Sequence, residues 1–183
     1  MPFAYYDRLT RPKQRIYRES DSVTGIPLPT AQALRPLVGE LSGALPLGDR
    51  LRTQTAAQTL VASLTAELNV PPVRVEVLAV RPARSWGELH GLYMPSGGGR
   101  PARVTLWMRT TRQKRIVVFR TFLRTLLHEL CHHLDYERLG LADSFHTEGF
   151  YKRESSLLQQ LVGDHRRERP HAREVAELPF PMQ

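Results

Sequence analysis

His128 and His132 bracket the run His128-Glu129-Leu130-Cys131-His132, which fits the metal-site pattern H-E-x-x-H. On an α-helix each residue turns about 100°, so His132 falls about 40° from His128, one turn on. Two imidazoles on one face, roughly 5–6 Å apart at Cβ, can share one metal ion. His133 falls about 140° away and cannot join them from the same helix; it reads as a surface or packing residue. Glu129 turns about 100° from His128, beside the metal rather than behind it. That position suits a general base acting on water that a metal has acidified.

A catalytic zinc takes three protein ligands and leaves one position open. The third ligand must come from beyond Gly140, where a second helix is expected to return the chain. His146, at the start of that helix, is the first candidate, with Glu154 and Glu148 as alternatives. Imidazole ligands favour zinc over manganese or iron. Asp135 sits one turn beyond His132. It either orients a ligand histidine or is a solvated acid partnered by Arg138. Tyr136 and Tyr151 are candidate donors to an oxyanion. Cys131 is the one cysteine, so no internal disulfide and no four-cysteine zinc ribbon can form. It borders the apolar stripe and reads as a small buried residue.

The helix that carries the motif is expected from about 119 to 139, stopped by Gly140. Leu123, Leu126, Leu127, Leu130 and Leu134 form a stripe opposite the two histidines, so the helix is anchored on its back and presents them on its front. The following helix should begin near 145–147 and end near Gly163, burying Phe150, Leu157, Leu158 and Leu161. Upstream, 49–69 reads as a helix with Asp49 as N-cap and Pro71–Pro72 as its stop. The stretches 73–80, 89–94 and 103–109 read as three strands, the last two joined by the flexible SGGGRP. A short helix over 28–41 should break at Pro36. Residues 1–30, rich in Pro, Arg and Tyr, read as an irregular arm. Residues 31–163 form the domain, and 164–183 a charged, proline-punctuated mobile tail. The order predicts an α+β fold with a small, mainly antiparallel sheet.

The segments FLRTLLHELCHHLD and FHTEGFYKRE resemble the SprT-like metallopeptidases and the wider group of minimal zincins. The likeness spans roughly 49–163 and is specific over 122–154. It implies a helix, a three-stranded sheet, the H-E-x-x-H helix and a following helix. It also implies His128 and His132 as zinc ligands, Glu129 as base, and His146 as third ligand at the head of an H-x-x-x-F segment ending at Phe150. One of the two later strands would be the edge that lines the cleft, where a protein or peptide substrate adds as a further strand.

The net charge is +8, and 26 residues are Lys or Arg. Between 100 and 124 lie Arg100, Arg103, Arg109, Arg112, Lys114, Arg115, Arg120 and Arg124, with no acid. This is either a solvated basic face or a surface for DNA or another polyanion. No apolar run is long enough to cross a membrane, and the N-terminus MPFAYYDRLTRPKQR lacks the apolar centre of a signal peptide, which predicts a cytoplasmic protein. The sequence therefore predicts a zinc-dependent metallopeptidase. Two alternatives stand beside it. One is a nucleic-acid-associated protein with a structural or degenerate zinc site, and the other is a protease-like regulator or a zinc hydrolase of a non-peptide bond.

Overall fold

The structure is a computed structural model that describes residues 3–80, 82 and 90–163. Among them are five α-helices and a three-stranded sheet, an α+β arrangement. In chain order these are α1 (Arg11–Ser22), α2 (Ala31–Ala44), α3 (Arg50–Glu67), β1 (Arg74–Val80), β2 (Gly91–Met94), β3 (Arg103–Arg109), α4 (Phe119–Glu137) and α5 (Glu148–Val162). The expected tail from 164 and the start of the second strand at Leu89 lie outside the described residues.

Two expectations about the N-terminal third are corrected. The arm is not irregular, because α1 occupies twelve of its residues, with a proline in the first turn. Its buried face is narrow, consisting of Tyr17 and Ser20. One of the two is a serine, so an apolar periodicity search passes over it. Pro36 does not break α2, which runs through it. Proline removes one backbone bond, and the burial of Leu34, Val38, Leu41 and Ala44 holds the helix across the gap.

The sheet order is β1-β3-β2, with β1 parallel and β2 antiparallel to β3. It is mixed rather than mainly antiparallel. Strand periodicity reports which faces are buried, not which way a neighbour runs. Central β3 buries five consecutive residues, Val104 to Met108, as a strand flanked on both sides should. The two sheet edges differ. On β1, the amides of Val75 and Val77 donate to the side chains of Gln58 and Gln54, and Gln58 donates back to the Val73 carbonyl. Helix α3 thereby covers that edge. Strand β2 is the other edge, and it faces α4.

Helix α3 begins where Asp49 accepts from the Arg52 amide, and α5 where Thr147 accepts from the Phe150 amide. Gly140 and Gly163 adopt positive φ after α4 and α5. Leu123, Leu126, Leu127, Leu130 and Leu134 are each fully buried, so the back of α4 is the anchored face that the sequence predicts.

Candidate metal centre

With its back in the core, α4 turns His128 and His132 outward into a cavity of about 700 Å³. The link from α4 to α5 brings His146 over them. Its Nε2 lies 3.0 Å from Nε2 of His128 and 3.1 Å from Nε2 of His132. The three ring nitrogens all lie within 4.8 Å of one another, near enough to hold one metal ion. Tetrahedral zinc with nitrogens at about 2.1 Å sets them roughly 3.4 Å apart. The buried ring of Phe150 forms a floor beneath all three, with centroids 5.0, 4.8 and 5.2 Å from His128, His132 and His146.

The second nitrogens reveal the proton positions. Nδ1 of His128 lies 2.9 Å from a carboxylate oxygen of Glu154. A carboxylate only accepts, so Nδ1 donates to it and Nε2 is the nitrogen turned toward the other two rings. Nδ1 of His132 lies 2.7 Å from Ser144 Oγ, and that hydroxyl donates to Asp135 at 2.7 Å. The single hydroxyl proton is spent on the carboxylate, so Ser144 accepts from Nδ1 of His132 and the Nε2 of that ring faces the cluster. Two Nε2 atoms aimed at one point, with a third imidazole across from them, form a donor set that fits a cation. Burial and the neighbouring His128 and His146 lower His132 to about 3, which keeps it neutral as a ligand must be. Burial and His128 also lower His146, against an opposing pull from Glu154.

Glu129 is buried against β2. Burial pushes its carboxyl up to about 7, while His128 and the backbone N–H of Tyr93 pull it down. A Cβ at Gly91 would collide with its carboxyl group, so glycine on β2 is what lets the strand pass this close.

The alternatives for third ligand fall elsewhere. Glu154 is bonded to His128 and, at 3.0 Å, to Arg124. Glu148 is about half exposed and paired with Lys152. Asp135 does reach a histidine of the group, but through Ser144 rather than directly. It is fully buried against Arg153 at 2.6 Å, while Arg138 donates to the Leu68 carbonyl. His133 is a packing residue: Nε2 donates to the Pro71 carbonyl, leaving Nδ1 to accept from the Tyr93 hydroxyl. Cys131 is fully buried, as expected. Tyr136 and Tyr151 both line the cavity.

Ser144, Arg153, Gly91 and Tyr5 carry no signal in the sequence. Each is defined by a partner far along the chain or, for Ser144, by a loop conformation. Compared with family models, curated proteins and solved structures, the chain matches none.

Proposed function

We propose that the chain is a zinc-dependent metallopeptidase of minimal-zincin type, similar to the SprT-like proteins. The observation that carries the reading is the convergence of three imidazole Nε2 atoms beside a buried glutamate, in a cavity walled by β2, an edge strand among the described residues. His128, His132 and His146 would hold zinc. Bound zinc supplies Lewis acidity, polarising a carbonyl and acidifying water. Glu129 takes a proton from the attacking water and delivers it to the leaving amine. Glu154, and Asp135 through Ser144, hold His128 and His132 with their Nε2 atoms facing inward.

Gly91, Leu92 and Tyr93 line the cavity, so a peptide substrate adds along β2, the edge that α3 leaves uncovered. A purely structural site has no use for Glu129, which favours hydrolysis over a nucleic-acid-associated protein with a structural zinc site.

The test is metal content by mass spectrometry, with hydrolysis of an unfolded protein substrate, for wild type, His146→Ala and Glu129→Gln. Wild type should hold about one zinc per chain and cleave. His146→Ala should lose metal. Glu129→Gln should keep metal and lose cleavage. Metal retained in His146→Ala removes the third ligand, cleavage retained in Glu129→Gln removes the base, and a metal-free wild type removes the reading.

A second surface is proposed for a polyanion such as DNA. Beyond β3 the chain doubles back, with Arg109 pairing with Ile116. Arg112, Lys114 and Arg115 are exposed on this turn, and none forms an ion pair among the described residues.

A further inference from the structure

The N-terminal segment reaches the back of the histidine cluster at two separate places. The Tyr5 hydroxyl donates to the backbone carbonyl of His146 at 2.9 Å, across 141 positions of sequence. The second route is buried. Arg153, fully enclosed, donates to the carbonyls of Ser20 and Val23 and to Ser20 Oγ, and its remaining terminal N–H binds Asp135 at 2.6 Å. Asp135 then accepts from Ser144, which accepts from Nδ1 of His132. Between the two routes, Asp21 accepts from the Gly149 amide at 2.8 Å and Ser20 Oγ lies 3.5 Å from Thr147 Oγ1, at the head of α5 just past His146. Gly149 permits this approach, because a Cβ there would collide with the Asp21 backbone.

We propose that residues 3–23, together with Arg153, Asp135 and Ser144, form an outer clamp of the metal centre, in which Tyr5 fixes the backbone of His146 and the chain Ser20–Arg153–Asp135–Ser144 fixes the ring of His132. Tyr5 and Ser144 are its positioning residues. Geometry requires such a clamp: α4 fixes the backbones of His128 and His132, whereas His146 sits on a link between helices with no ladder of its own. The ring of His132 also needs a fixed partner at Nδ1 to hold Nε2 facing the other two rings. The proposal rests on the metal reading of the three histidines and not on peptide hydrolysis.

Zinc affinity by chelator competition and the visible spectrum of the cobalt-loaded chain test it, in wild type, Tyr5→Phe, Ser144→Ala and Ser144→Thr, with thermal unfolding of each metal-free protein alongside. Tyr5→Phe and Ser144→Ala should each weaken zinc roughly 10- to 100-fold and alter the cobalt spectrum. Ser144→Thr, which keeps the hydroxyl, should restore both, and the metal-free melting temperatures should match wild type. Wild-type affinity and spectrum in either Tyr5→Phe or Ser144→Ala overturn the clamp. So does a loss of affinity that comes only with collapse of the metal-free fold. A wild type that takes up neither zinc nor cobalt overturns the clamp and the metal reading together, whereas one that binds zinc and cleaves nothing sinks the peptidase reading alone.

Discussion

At the scale of single residues, each functional atom is held by a partner that cannot be read from its neighbours in sequence. Glu129 depends on a glycine 38 positions upstream, because only a residue without Cβ lets β2 pass its carboxyl group. Gly91→Ala would push that carboxylate aside while leaving the three imidazoles alone. Displacing a catalytic group by about 1 Å costs on the order of 100-fold in rate. Steady-state hydrolysis with metal content measured in parallel should show that loss at full zinc occupancy. Cleavage within a few-fold of wild type would mean the carboxylate has room to stand elsewhere.

At the scale of elements, the site stands on one helix buried on its back and one helix that starts in the right place. The head of α5 matters more than its length, because it sets where His146 falls. Thr147 caps it with its own hydroxyl and is itself buried. Asp49 performs the same task for α3, which covers the β1 edge of the sheet and contributes no residue to the cavity. Asp49→Ala should cost about 1 kcal/mol, read as a lower denaturant midpoint, with zinc affinity unchanged. Thr147→Ala should cost a similar amount and weaken zinc as well. Equal zinc affinity in both variants would separate the head of α5 from the metal centre.

At the scale of the whole molecule, the Arg153–Asp135 pair joins α1, α4 and α5 and is fully buried. Removing one member of such a pair strands a buried charge, a penalty of about 3–5 kcal/mol. Arg153→Met should therefore lower global stability by roughly that amount in equilibrium unfolding. A change below about 1 kcal/mol would show that water reaches Asp135. On the exposed turn after β3, neutralising Arg112, Lys114 and Arg115 together should reduce the salt slope of DNA binding by up to about 2.7, at about 0.9 per phosphate contact. An unchanged slope would place any such binding elsewhere.

Local periodicity was enough for the sequence to determine the motif helix, its leucine anchor, the cap at Asp49 and the His128–His132 pair, because 3.6-residue spacing and capping chemistry act within a turn or two. It also placed His146 as the candidate third ligand, since a chain leaving one helix and entering the next can return to few places. Tertiary structure alone decided the rest. Strand direction in the sheet depends on which partner a strand meets, and periodicity does not encode that. Helix α1 escaped notice because its buried face is a tyrosine and a serine whose value comes from Arg153. Glu154 read as an alternative third ligand, and Asp135 as either the support of a ligand histidine or a solvated acid, until the fold set one against the His128 ring and the other behind Ser144. A carboxylate's role depends on which atoms it meets in a buried space, and those atoms come from distant parts of the chain.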